Sequence, residues 1–195
     1  MNRLRFVTSP RSHPGSTPRL ISILSGKGGV GKTVLAFNLS ERLASQGHRV
    51  LLVDADFHGG NVHILANTSC EVGVAEFVSG RLSLAETVTP LGNGLDLLGA
   101  SRRAVDPEKW SASTVASVLT RLRSEGAKYD YIVFDHSSGQ SHTATLTAHG
   151  SDLNLLVVIP ELTSISDCYG LYKHLRTAQA DTECRLLINR AQDAA

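Results

Sequence analysis

The chain has 195 residues, 42% of them hydrophobic, the size and apolar content of one ordinary globular domain with a substantial core. Its net charge of +1, with 19% charged residues, excludes any bulk electrostatic argument for nucleic acid or for an acidic partner. Cys70, Cys168 and Cys184 form no C-x-x-C pair, which argues against a disulfide framework, a zinc site or an iron–sulfur cluster and fits a reducing cytoplasm.

The N-terminal stretch Met1 to Val7 has no apolar segment of secretory type, and no apolar run approaches the roughly 20 residues that span a bilayer. Residues 8–18 contain three prolines and no large apolar side chain, so residues 1–18 read as a flexible leader and residues 19–195 as the folded domain. Short, continuous apolar runs at 20–24, 50–53, 95–98, 131–134, 153–159 and 186–188 predict buried strands. Between them the spacing predicts helices over 32–45, 107–124, 141–149 and 164–178, with shorter pieces at 74–79 and 84–88. Gly47 closes the first of these, Pro107 opens the second with Trp110 packed in it, and Ser164-x-x-Asp167 resembles a capping box for the fourth. This alternation predicts an α/β fold, a mostly parallel doubly wound sheet with helices on both faces.

The segment Gly26-Lys-Gly-Gly-Val-Gly31-Lys32-Thr33 satisfies G-x-x-x-x-G-K-[ST] between an apolar strand and a helix, the context this motif requires. Its glycines let backbone N–H groups converge on phosphate oxygens. Lys32 can neutralise the β- and γ-phosphates, and the Thr33 hydroxyl can ligate Mg²⁺. Two carboxylates, Asp54 and Asp56, follow the second strand, where open α/β sheets bind ligands; each could instead cap the next helix. Tyr129-Asp-Tyr-Ile-Val-Phe-Asp135 is an apolar strand ending in a carboxylate that could hold Mg²⁺ through water. His136 after it is either a sensor or a surface substitution.

An ordinary phosphate loop has no need of Lys27. With it, Ser25-Gly-Lys-Gly-Gly-Val-Gly-Lys-Thr33 resembles the deviant Walker A loop of the MinD/ParA ATPases, and the chain is similar to that family from about Arg19 to Arg190. The resemblance implies a P-loop NTPase fold of the SIMIBI, MinD-like type, with ATP and Mg²⁺ as cofactors. It implies a loop of Gly26, Lys27, Gly28, Gly29, Val30, Gly31, Lys32 and Thr33 around the phosphates. Lys27 would reach the partner's nucleotide in an ATP-bound homodimer; the plain alternative is a solvated loop lysine. Asp56 would position the attacking water, so that Lys27, Lys32 and Asp56 are the catalytic set. Thr33, Asp54 and Asp135 would serve the metal. Gly139 would offer its N–H to the γ-phosphate, while Asn189, with Arg190, would read the adenine edge unless it is simply a turn residue. His58, in place of a usual glycine, and His136-Ser-Ser138 depart from the family pattern and bear on the hydrolysis rate.

Residues 159–173, Ile-Pro-Glu-Leu-Thr-Ser-Ile-Ser-Asp-Cys-Tyr-Gly-Leu-Tyr-Lys, are similar to a stretch of the flagellar-number branch of the family, though an N-capped helix after a strand needs no function. That branch implies control of the placement or number of a cellular structure, flagella first. It implies a regulatory protein partner such as an SRP-type GTPase or a flagellar switch component. It also implies a cytoplasmic location that can be peripheral to the inner membrane, although the final residues 191–195 carry no amphipathic anchor and the chain reads as either short or cut. Two other readings are a nucleotide-gated scaffold with negligible hydrolysis and a polysaccharide-type tyrosine autokinase, which needs a tyrosine-rich tail absent here. The remaining histidines lack metal-ligand spacing and read as surface or helix-flank residues. Arg102-Arg103 and Arg121 with Arg123 are either solvated faces or anion contacts.

Overall fold

A computed structural model describes residues 17–57, 59–100, 106 and 110–191. The leader up to residue 16, His58, Arg102-Arg103 and Pro107 lie outside the described residues. Seven strands form one sheet: β1 (Arg19–Leu24), β2 (Val50–Ala55), β3 (Thr89–Gly92), β4 (Leu95–Leu98), β5 (Tyr131–His136), β6 (Leu153–Val158) and β7 (Cys184–Ile188), in the order β3-β4-β2-β5-β1-β6-β7. All described pairings are parallel except β3 with β4. The helices are α1 (Lys32–Ser45), α2 (Val62–Leu65), α3 (Val74–Val78), α4 (Leu84–Thr87), α5 (Ala112–Glu125), α6 (His142–His149) and α7 (Leu162–Ala178).

Side-chain alternation along the strands sends neighbouring residues to opposite layers. Ile21, Ile23, Leu52, Val133 and Val157 pack with Leu39 and Leu43 of α1 and Val62 of α2. Their neighbours Leu20, Leu51, Ile132 and Phe134 pack with Phe77 of α3, Leu84 of α4 and Leu119 of α5, and Leu156 and Val158 pack with α6 and α7. Helices α1 and α2 therefore lie on one face and α3 to α7 on the other. This reversal beside β1 opens the crevice at the carboxyl edge of the sheet.

Helix ends follow local chemistry, with three departures from the sequence reading. α1 closes on Gly47, with φ 88, through the paired bonds of Gly47 N to Ala44 O at 2.9 Å and His48 N to Leu43 O at 3.3 Å. The helix containing residues 112–125 starts later than expected, because the Ser111 hydroxyl accepts the Thr114 N–H and caps it; Trp110 precedes the helix and stacks against Phe57 at 4.9 Å. Ser164 is not an N-cap: α7 begins after Glu161, and the buried Ser164 hydroxyl accepts the Ile159 N–H at 3.2 Å. α2 and the antiparallel strand β3 were not expected. β3 and β4 join through Asn93 and Gly94, both at positive φ (51 and 86), the dihedral sign of a tight hairpin turn.

The arginine pair on α5 is structural. Arg121 lies over the Phe77 ring at 4.2 Å and donates to Phe77 O, and Arg123 donates to Gly150 O at 3.0 Å. His48 flanks the end of α1, where it is buried edge-on to Tyr131 rather than lying at the surface. Leu162, Ile165, Tyr169 and Tyr172 form an exposed apolar stripe along α7 beside a groove of about 460 Å³ shared with β7. Among the described residues no helix is long and apolar enough to cross a membrane.

Candidate functional site

The phosphate loop is built from the carboxyl end of β1 and the start of α1. Gly31, at φ 95, is the N-cap of α1 and provides no side-chain cap, and the first turn of the helix contains no acidic residue. The orphan N–H groups and positive end of the helix are thus left to an outside anion. Two contacts hold the loop from behind. A Cβ on Gly26 would come within 2.3 Å of the Asp167 carbonyl of α7, so only glycine allows the approach. The Asn189 amide, at the end of β7, donates to Val30 O at 2.8 Å, and its oxygen accepts the Arg190 N–H at 3.0 Å. Asn189 therefore lies against the loop through its amide nitrogen, while its oxygen is held by the residue that follows it. Within the loop the buried Ser25 hydroxyl donates to Lys27 O at 2.7 Å, a brace that the motif alone does not reveal.

Lys32 is 8% exposed and lies within electrostatic reach of Asp135 and Asp56. Burial lowers its pKa, and those two carboxylates oppose the shift. Asp135, from β5, and Asp54, from β2, are paired in register across adjacent strands, and both face α1. The Thr33 side chain lies close enough to Asp135 to favour its charged form. Asp54 accepts from the N–H groups of Asp56 and Val62, both at 3.3 Å, so it also ties down the loop leading into α2. That loop packs closely, since a Cβ on Gly60 would meet the Asp54 carboxylate at 2.5 Å. Asp56 is half-buried at the end of the strand.

The electrostatics of this cluster fit a divalent cation. Burial pushes Asp54 up to about 7, with repulsion from Asp135 second. Burial raises Asp135 to about 6 despite the Thr33 side chain and Lys32. The Asp135 Oδ1 atom is buried without a hydrogen-bond partner. A cation shared with phosphate oxygens would satisfy that atom and relieve the repulsion. Among the described residues no group of three or more His, Cys, Asp or Glu could cage a metal alone. One or two carboxylates plus a bound phosphate is the arrangement Mg²⁺ accepts.

These carboxyls dictate a pH dependence. Both keep their protons to higher pH in the folded chain than in the unfolded one, so the folded state binds more protons and stability falls as pH rises. The loss begins near the ordinary 3.8 and is complete above about 7 for Asp54 and about 6 for Asp135. In Mg²⁺-free buffer the Tm should fall by roughly 5–10 °C between pH 5 and pH 8. Asp54→Asn should flatten most of that slope; a variant with the wild-type slope would place the titrating group elsewhere.

Two expected site residues are engaged within the chain. Lys27 Nζ donates to Glu161 Oε2 at 3.0 Å and to Thr163 Oγ1 at 2.9 Å, at the junction of β6 and α7. The Gly139 N–H, at φ 91, donates to Ser25 O at 2.9 Å. His136 is 3% exposed and hydrogen-bonded to Ser22, so it is not a surface substitution. Glu161 and Thr163 as partners of Lys27 were missed by sequence reasoning. They lie 134 and 136 residues away, and only the adjacency of β1 and β6 brings them together.

Comparison with known proteins agrees with this geometry. Residues 18–188 match the AAA domain family. The chain is 31% identical over 173 residues to the antiactivator FleN of Pseudomonas aeruginosa, covering 89% of this chain and 62% of that protein. It is 26% identical over 176 residues to the flagellum site-determining protein YlxH of Helicobacter pylori, covering 89% and 60%. The chain thus spans about three fifths of the length of these relatives. Among solved structures, the MinD cell division protein of Aquifex aeolicus shares 30% identity at a TM-score of 0.71, covering 89% of this chain and 70% of that one. The septum site-determining protein MinD of Pyrococcus horikoshii, complexed with Mg-ADP, shares 25% identity at a TM-score of 0.76, covering 91% and 72%. A plasmid partition protein from Borrelia burgdorferi has the same fold, with a TM-score of 0.79 at 21% identity over 92% and 82%. The loop, the carboxylate pair facing it and these matches lead to one conclusion: the chain belongs to the AAA domain family, within its MinD/ParA group of P-loop ATPases.

Proposed function

We propose that the chain is an ATP-driven dimerisation switch that governs the placement or number of a cellular structure, flagella first. The observation that carries this reading is the position of Lys27. Its ammonium is not part of the chain's own phosphate cluster but is held at the rim by Glu161 and Thr163, on a half-exposed side chain that can be redirected. A second copy presenting its nucleotide to that rim would offer phosphate oxygens as stronger partners than one surface carboxylate. The flagellar assignment is supported by the similarity to YlxH, a flagellum site-determining protein, and by the Thr163-Ser-Ile-Ser-Asp167 stretch.

In this reading Lys32 and the first turn of α1 bind the β- and γ-phosphates, and Thr33 and Asp135 hold Mg²⁺, with Asp54 behind them. When bound, Mg²⁺ supplies charge neutralisation between the phosphates. Asp56 orients the attacking water. Gly139 transfers its N–H from the Ser25 carbonyl to the γ-phosphate, so the segment 136–139 has two alternative partners, one present only with ATP. ADP lacks the group that favours the second state. Hydrolysis is slow until a regulatory protein partner stimulates it.

Steady-state hydrolysis tests the reading. Asp56→Ala should lower the rate about a hundredfold with little change in ATP affinity, because it removes only the orientation of water. The bond between the Gly139 N–H and Ser25 favours a second reading, a nucleotide-gated scaffold that hardly hydrolyses. Equal rates for wild type and Asp56→Ala would favour that scaffold.

A further inference from the structure

β5 ends in two polar side chains that face opposite layers. Asp135 points toward α1 and the phosphate loop, and His136 points toward α6. The His136 Nε2 lies 3.0 Å from the Ser22 hydroxyl, the Ser22 hydroxyl lies 2.8 Å from the Ser151 hydroxyl, and Ser151 donates to Thr147 O at 2.9 Å. Each hydroxyl has one proton. With the Ser151 proton assigned to the Thr147 carbonyl, Ser22 donates to Ser151 and accepts from His136. The imidazole is therefore the neutral Nε2–H tautomer. Burial agrees with this, holding its pKa down at about 3, with the Lys32 charge as a second cause.

This chain fastens the end of β5 to the strand that carries the phosphate loop. Ser22 belongs to β1, three residues before Ser25, and is itself fully buried. Since Gly139 is bonded to Ser25 O, the segment 136–139 is tied at one end to β1 and at the other to the start of the phosphate loop, and Asp135 immediately precedes the first tie. A tether whose acceptor is buried and whose proton direction is fixed limits how β5 can rotate. Groups of this kind, placed behind a metal-binding carboxylate, set its orientation.

The geometry points to His136 as a positioning residue for Mg·nucleotide: its Nε2–H bond to Ser22 fixes the end of β5 and so holds the Asp135 carboxylate toward Thr33. This rests on the reading of the loop and Asp135 as a Mg·ATP site. His136 acts through Asp135 and touches no phosphate.

The test is a Mg²⁺ titration of binding of a fluorescent ADP analogue to wild type, Ser22→Ala, His136→Leu and His136→Gln. Ser22→Ala and His136→Leu should each raise the Mg²⁺ concentration at half-maximal binding about tenfold. Affinity for the nucleotide in chelator should be unchanged, and His136→Gln, whose amide can donate from the position of Nε2, should restore most of the effect. Nitrogen NMR of the nucleotide-free wild type should find the His136 proton on Nε2, a readout that needs no variant to fold. Unchanged Mg²⁺ midpoints in the variants, or a proton on Nδ1, would overturn the positioning role alone. A wild-type chain showing no Mg²⁺-dependent nucleotide binding would overturn the site reading, and this inference with it.

Discussion

Lys32→Ala is expected to abolish measurable nucleotide binding and to lower ATP hydrolysis at least about a thousandfold. Lys32 is almost wholly buried at the first position of α1, where burial already disfavours its charge. Asp135 and Asp56 are the groups in the described structure that support that charge, and phosphate oxygens would add to them. Removing the ammonium deletes the cation aimed at the β- and γ-phosphates and leaves the raised Asp135 carboxyl without its main opposing charge. Arginine should not rescue, because its broader fork needs space that a buried one-lysine pocket does not provide. Isothermal titration with ADP and ATP, beside a thermal melt of the apo protein, separates lost binding from lost folding. Retained affinity in a folded Lys32→Ala protein would remove the loop from the site.

Lys27→Ala should produce the opposite pattern. Its contacts with Glu161 and Thr163 are at the surface, and an exposed pair of this kind contributes at most about 1 kcal/mol, so the fold and nucleotide affinity should survive. ATP-dependent association should be lost, because a cation supplied from the other subunit is what crowded phosphates at an interface require. The contrast between the lysines is the informative quantity. Lys32 reports on binding within one chain and Lys27 on pairing between chains. Dimers of Lys27→Ala at the wild-type level would assign Lys27 to the solvated loop.

Much of the fold was legible because a parallel sheet covered on both faces needs unbroken apolar strands. The six expected runs are all strands, and α1 matches residue for residue. Thr89-Pro-Leu-Gly92 escaped notice because it is short, carries a proline and lies at the sheet edge, where alternation is weak. Its Asn-Gly turn was the available signal. Pro107 suggested a helix start, but the Ser111 hydroxyl provides the local cap of the described helix. Ser164 looked like a cap in one dimension and proved to be a buried acceptor for the end of β6.

The site divides in the same way. Residues contiguous in the loop, or ending a strand with a carboxylate, could be named because strand direction places them at one edge. Contacts set by strand order could not. Glu161 and Thr163 meet Lys27, and Ser22 meets both His136 and Ser151, because β5 and β6 flank β1, an order that no local pattern encodes. A histidine after a strand-ending Asp looks exposed in sequence. Here alternation turns it into the opposite layer, where Ser22 waits.

In the proposed switch ATP, and not ADP, joins two copies of this chain through the loop that carries Lys27. Light scattering on the slowed Asp56→Ala protein measures this directly. The mass should double with Mg·ATP, stay monomeric with Mg·ADP, and stay monomeric with Mg·ATP once Lys27→Ala is added. A monomer under saturating Mg·ATP, or a dimer indifferent to the nucleotide, would contradict it.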